Sequence, residues 1–197
     1  MKQLERVAII QSELDKRGGT DYLEIGVQRG ETFFHIACKN KRTVDPQPIV
    51  SWKRKLYYWQ DYFFQRWHRL TSDDFFGQCQ SVFDVVFVDG LHTHEQSFAD
   101  FMNAAKHLKP GGAVVLHDCN RTKNDNPMYR DMWRTPALIR SLAGFSIKVY
   151  DCDHGVGVVT LEDQPQGAYT PEQVRAMDFE TFDADRAAIL NLVPYEG

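Results

Sequence analysis

Two short segments carry the residues best suited to chemistry. Phe83-Asp84-Val85-Val86-Phe87-Val88-Asp89-Gly90-Leu91-His92 ends in an acid and an imidazole three positions apart. Gly112-Ala113-Val114-Val115-Leu116-His117-Asp118 ends in a second imidazole and acid, here adjacent. A histidine with its ordinary pKa near 6.5 can take a proton at neutral pH, and a carboxylate can orient it or bind a cation. Asp89, His92 and His117 are therefore the candidate catalytic residues, with His92 as general base. Two plainer readings stand beside this. His92 could cap a helix starting near Thr93, and His117 could be a buried histidine bonded to its neighbours.

Both segments begin as apolar runs that read as strands buried on two faces. In open α/β sheets, ligands bind at the carboxyl ends of such strands. The surrounding pattern alternates strand and helix. A helix is expected over 4–16, then a strand at 22–25 entering a glycine turn. A helix over Glu31–Lys39 follows, with Phe33, Phe34, Ala37 and Cys38 inward, and then a short strand at Thr43-Val44. A helix near 51–63, a strand near 66–71 and a brief helix capped by Ser72-Asp73-Asp74 come next. Beyond the strand at 83–88, Phe98, Phe101, Met102, Ala105 and Leu108 mark a helix over 93–108. A strand at 113–117, a polar loop at 119–128, a helix near 130–142 and strands near 145–151 and 156–161 complete the regular part. Asp153-His154-Gly155 has hairpin-turn chemistry. The alternation implies a mostly parallel sheet with helices on both faces. Residues 1–161 are expected as one domain, with 162–197 as a helical tail packed on it. Thr170-Pro171-Glu172-Gln173 matches a capping box with proline at the first helical position.

The first strand runs into Glu24-Ile25-Gly26-Val27-Gln28-Arg29-Gly30, where Gly26 allows a sharp turn and Gly30 a close ligand approach. Asp45 closes the next strand, where a carboxylate can accept bonds from both hydroxyls of a ribose. The fingerprint G-x-G-x-x-G is absent, which favours a nucleoside ligand without a pyrophosphate.

Over residues 20–160 the chain resembles class I S-adenosylmethionine-dependent methyltransferases, in the small branch related to sugar and catechol O-methyltransferases. The resemblance rests on Leu23-Glu24-Ile25-Gly26 with Gly30, Val44-Asp45-Pro46, Asp89-Gly90-Leu91-His92, and Leu108-Lys109-Pro110-Gly111-Gly112 through His117-Asp118. It implies a Rossmann-like three-layer sandwich whose seven-stranded, mostly parallel sheet ends in an antiparallel C-terminal hairpin. It also implies that Glu24, Gly26 and Gly30 surround the methionine part of S-adenosylmethionine, Asp45 the ribose, and Ser72 and Asp73 the adenine. The expected activity is O-methylation of a small hydroxylated acceptor such as a sugar or secondary metabolite. Neighbouring metal-dependent families hold magnesium at these strand ends, and Asp89 and Asp118 supply the oxygen ligands that Mg2+ wants. Here His117 and Cys119 flank Asp118 where those families place a further acid or amide, and imidazole suits transition metals.

Composition sets the outer bounds. The 197 residues are 43% apolar and 25% charged, enough for one α/β domain. The net charge of −4 gives no general case for nucleic acid or an anionic membrane as partner. No apolar run suits a membrane span or a signal peptide, and Cys38, Cys79, Cys119 and Cys152 lack zinc spacing. Reduced thiols in a cytoplasmic protein are the expectation. Residues 52–69 interleave aromatic and basic side chains, open to three readings: core packing, a lid or homodimer contact, or base stacking. Trp133 and Arg134 are further candidates for the acceptor site. A nicotinamide-dependent oxidoreductase and a non-catalytic nucleoside- or protein-binding domain are the competing functions.

Overall fold

Alternation along the central strands builds two cores on one sheet. Leu23, Ile25, Val86, Val88, Val114 and Leu116 face one side, while Tyr22, Val85, Phe87 and Val115 face the other. The computed structural model describes residues 4–122, 124–162 and 167–196. Its strands are β1 (Asp21–Ile25), β2 (Asn40–Val44), β3 (Arg66–His68), β4 (Phe83–Val88), β5 (Leu108–Leu116), β6 (Ser146–Tyr150), β7 (Val156–Thr160) and β8 (Leu192–Val193). They form one sheet in the order β3-β2-β1-β4-β5-β7-β6-β8. Every pairing is parallel except the two that β7 makes with β5 and β6.

The chain order reverses direction between β1 and β4, so their carboxyl ends open the crevice of a Rossmann-like sheet. At the opposite end, Lys109 Nζ lies 2.6 Å from Asp21 and 2.8 Å from Asp84 and ties the starts of β1, β4 and β5 together. The helices are α1 (Glu5–Lys16), α2 (Trp52–Tyr57), α3 (Trp59–Phe64), α4 (Ser72–Phe76), α5 (His94–Lys106), α6 (Arg134–Arg140), α7 (Pro171–Ala176), α8 (Phe179–Ala184) and α9 (Arg186–Leu190). α1 packs with the Tyr22 face, and α5, α6 and the C-terminal helices pack with the Leu23 face.

Four expectations are corrected. The sheet has eight strands, not seven: the two-residue β8 pairs with β6, so the hairpin is not the sheet's edge. No α-helix spans Glu31–Lys39, which holds only a 3-10 turn at Phe33–His35. Side chains from outside the segment take the backbone groups a helix would need. The buried Lys41 ammonium donates to the carbonyls of Phe33 (3.1 Å) and Ile36 (3.0 Å), and the Gln11 amide bonds both the N–H and the carbonyl of Ala37. The helix expected over 51–63 is two helices broken at Tyr58, whose backbone (φ −102°, ψ 40°) leaves the helical region. Finally, the cap of α4 is Thr71, whose hydroxyl accepts from the Asp74 N–H, with Ser72 and Asp73 already inside the first turn.

The C-terminal segment is stitched into the core. Thr170 and Gln173 form the reciprocal capping box at α7. Phe182 is fully buried with its ring stacked 4.1 Å from Trp133. The linker residues 163–166 lie outside the described residues. Among the described residues no helix is long and apolar enough to cross a membrane, and all four cysteines are free thiols.

Candidate active site

The carboxyl ends of β1, β2, β4 and β5 line one open cleft of about 680 Å³. Its floor is set by Gly26. That residue has φ +84°, and a Cβ there would lie 2.1 Å from the Asp89 carbonyl oxygen. Only glycine lets β1 exit this close to the backbone that carries Asp89. Ladder bonds continue past the strands and fix the same corner: Gly26 N–H to the Val44 carbonyl, Asp89 N–H to Ile25, and His117 N–H to Val88.

One wall is the turn after β1. Gln28 and Gly30 also take positive φ, and the Gly30 N–H closes on the Val27 carbonyl at 2.7 Å. Gly30 backs onto the Phe34 ring, where a Cβ would meet it at 2.4 Å, and is not part of the cleft lining. The expectation that Gly30 opens a helix start to the ligand is therefore corrected: no helix begins there, and Gly30 shapes the turn instead. Asp45 is half-buried on the rim. Its two oxygens accept from the Gln28 N–H (2.7 Å) and the Gln47 N–H (2.8 Å), so the carboxylate is fixed while lone pairs remain for a ligand. Ser72 and Asp73 line the same cleft. The Gln96 amide bridges them, donating to Ser72 (3.3 Å), Asp73 (3.3 Å) and the buried Asp100 (2.9 Å).

Glu24 lies beneath this wall, 1% exposed, and accepts the Tyr22 hydroxyl at 2.7 Å. Burial, seconded by the Asp89 charge, pushes its carboxyl up to about 8, so Glu24 is largely neutral at pH 7. It contributes a hydrogen-bonding group to the cleft rather than a charge.

The other wall is a compact ionic network. His92 Nε2 lies 3.0 Å from Asp118 and 3.4 Å from Asp89. His117 Nδ1 lies 3.1 Å from Asp118 and 3.2 Å from Asp89, and its Nε2 faces Asp153 at 3.6 Å. The Arg121 guanidinium reaches Asp118 at 2.7 Å. Arg6, from α1, closes on Asp153 at 2.7 Å. Hydrogen bonds to Asp118 and then Asp89 raise His92 to about 9. His117 rises to about 10, because the Asp89 charge and the Asp153 contact overcome the burial that opposes its charged form. Burial also acts against the carboxylates, yet the two imidazoles hold Asp89 and Asp118 below the usual carboxylate range. In the free site both histidines are cations at neutral pH. That corrects the simple picture of His92 as an unperturbed base.

Asp89, His92 and Asp118 each place one donor atom within 4.8 Å of the others. This set does not fit magnesium, which demands near-octahedral oxygen ligands. One of the three donors is an imidazole nitrogen. The two carboxylates are already balanced by His92, His117 and Arg121, which would have to yield to the ion.

Several functional side chains escaped the sequence. Arg6 and Asp153 meet across 147 residues, with no local signal to join them. Gln96 and Asp100 were findable as an i, i+4 pair early in the helix after His92. Arg121 and Tyr129 also line the cleft, and the Tyr129 ring sits 4.6 Å from that of His92. Conversely, Trp133 and Arg134 do not line it. Trp133 is buried against Phe182, and Arg134 bonds the carbonyls of Val174 and Arg175.

The sequence model of a family described as a methyltransferase domain matches residues 23–119, from β1 through the exit of β5. Over that stretch the chain is similar to methyltransferase domains. Solved structures share the methyltransferase fold. The O-methyltransferase TomG from Streptomyces achromogenes, in complex with SAM, has TM-score 0.61 at 15% identity, covering 80% of each chain. The SAH-bound methyltransferase PaMTH1 from Podospora anserina has TM-score 0.62 at 12% identity, covering 80% of this chain and 78% of that one. The O-methyltransferase from Bacillus cereus, in complex with SAH, has TM-score 0.58 at 14% identity, covering 80% and 81%. At these identities the likeness is one of fold. No curated protein matches the chain in sequence.

Proposed function

We propose that this methyltransferase domain transfers a methyl group from S-adenosylmethionine to a hydroxyl of a small acceptor, with His92 accepting the proton. The observation that carries the reading is a single cleft joining a nucleoside-type wall (Gly26, Asp45, Ser72, Asp73) to an imidazole held between two carboxylates. The structural neighbours that hold SAM or SAH support the cofactor. Glu24 and Gly26 would border its methionine part, Asp45 the ribose, and Ser72 and Asp73 the adenine. When bound, the cofactor supplies an electrophilic methyl on sulfonium sulfur. The protein's part is to align the acceptor oxygen and take its proton. Asp118 and Asp89 fix the ring of His92 and raise its basicity, and His117 holds Asp89 and Asp118 in place. Arg121 and Tyr129 border the acceptor's side of the cleft, where an acceptor such as a sugar would sit.

The ribose assignment has a direct check. Asp45→Ala removes two charge-assisted hydrogen bonds worth about 1.5–3 kcal/mol each. Affinity for S-adenosylhomocysteine should fall at least about tenfold by calorimetry. Unchanged affinity would contradict the assignment.

The reaction is tested by incubating the protein and S-adenosylmethionine with a panel of sugars, catechols and related alcohols, with and without EDTA. We expect S-adenosylhomocysteine release and a methyl ether product, at rates equal within about twofold in the two arms, since the network supplies its own cations. A rate lost on chelation and restored by magnesium would overturn the metal-free account. Cofactor binding without transfer to any acceptor would favour a non-catalytic domain.

A further inference from the structure

α2 and α3 together bury none of their residues. Within thirteen positions, Trp52, Leu56, Tyr57, Trp59, Phe63 and Phe64 stand 48–79% exposed. Single exposed apolar residues are ordinary, but a cluster of this size marks an interaction surface. The platform is firmly seated. Beneath it Tyr58 stacks 4.7 Å from the buried Phe34, and Tyr62 packs 5.2 Å from Trp67. None of these exposed side chains lines the cleft.

Its charge runs against that of the molecule. Residues 51–70 hold five basic residues and one acid in a chain of net charge −4. That acid, Asp61, is drawn inward to the buried Lys41 at 2.6 Å. Arg54 is engaged with Glu31 and the Arg29 carbonyl. Among the described residues, no carboxylate pairs with Lys53, Lys55, Arg66 or Arg69. Lys53 instead sits 5.9 Å from the Trp52 ring and Lys55 4.9 Å from the Tyr62 ring.

We propose that α2–α3 docks on an anionic lipid surface. Tryptophan, tyrosine and phenylalanine beside lysine and arginine are the chemistry of an interfacial segment. The aromatic bodies enter the headgroup boundary while the cations meet phosphates. The whole-chain charge conceals this because the basic excess is local. A second copy fits less well, since a two-fold contact through this patch would bring the same unpaired cations face to face. The cleft rim Asp45-Pro46-Gln47 leads directly into Ser51, the cap of α2, so docking brings the cleft mouth near the headgroups. The inference stands on the surface alone and does not depend on the reaction.

The test is co-flotation of the full chain with vesicles of phosphatidylcholine alone and of phosphatidylcholine mixed with phosphatidylglycerol, at low and high salt. Binding is expected for the anionic vesicles only, weakening with salt. The double variant Lys53→Glu/Lys55→Glu should reduce the partition coefficient at least about tenfold. Trp52→Ser/Phe64→Ser should reduce it at least about tenfold as well. Both variants should melt like the wild type and keep its S-adenosylhomocysteine affinity. Absence of binding to anionic vesicles, or equal binding to both kinds, would overturn the proposal. So would sedimentation showing a wild-type dimer that Trp52→Ser/Phe64→Ser dissociates.

Discussion

Replacing His92 with alanine should lower kcat for methyl transfer by about 10²–10⁴-fold, the usual worth of a positioned general base, and leave S-adenosylhomocysteine affinity unchanged. His92 faces the ionic wall of the cleft, between Asp118 and Asp89, while the nucleoside wall is built by β1, β2 and α4. Loss of the ring should therefore remove the proposed proton acceptor without touching the proposed cofactor contacts. The wild-type pH dependence carries the same signature. His92 is raised to about 9 because both carboxylates favour its charged form, so it is protonated below that pH and free to accept a proton above it. The rate should climb about tenfold per pH unit at neutral pH and level off near 9. His92→Ala should lose that limb. A flat or falling wild-type profile over pH 7–9, or full activity in the variant, would remove His92 as the base. Stability should follow the opposite sign. A histidine with a raised pKa adds stability that is fully present below its unfolded value near 6.5 and fades as pH rises through about 9. The pH that frees the base thus loosens the network that holds it.

Gly26→Ala should destabilise the fold by about 3 kcal/mol or more and eliminate cofactor binding. Two costs combine. Alanine is strained at φ +84°, and its Cβ would stand 2.1 Å from the Asp89 carbonyl oxygen and 2.7 Å from Gly90 Cα. Those neighbours are backbone, so no side-chain rotation relieves the overlap, and the ends of β1 and β4 must part. Urea unfolding followed by calorimetry of the refolded protein checks both effects. Gly30→Ala provides a partial contrast: it shares the backbone strain, at φ +74°, but its obstacle is the Phe34 ring and the residue lies off the cleft wall. A Gly26→Ala protein of native stability and affinity would show that the glycine is incidental.

The sequence made the central strands legible because each is an apolar run bounded by glycine, proline or charge. It also marked the strand ends Gly26, Asp45, Asp89, His92, His117 and Asp118, which the fold gathers around one cleft. The failures share a physical cause. The 31–39 segment has helical spacing, but Lys41 and Gln11 capture its backbone groups from elsewhere in the chain. β8 is two residues long and exists only because β6 offers it an edge. The raised basicity of His92 and His117 arises from the carboxylates of Asp89, Asp118 and Asp153, which converge on the two rings from β4, β5 and the hairpin turn. Residue type alone gave both their ordinary pKa. Asp153 looked like mere turn chemistry. It takes φ +44° in that turn and reaches both His117 and Arg6.

The most direct test of the central claim is calorimetric titration of the wild-type chain with S-adenosylhomocysteine and, separately, with NAD. The account predicts saturable one-to-one binding of S-adenosylhomocysteine and no heat of binding with NAD. Binding of NAD without binding of S-adenosylhomocysteine would contradict it.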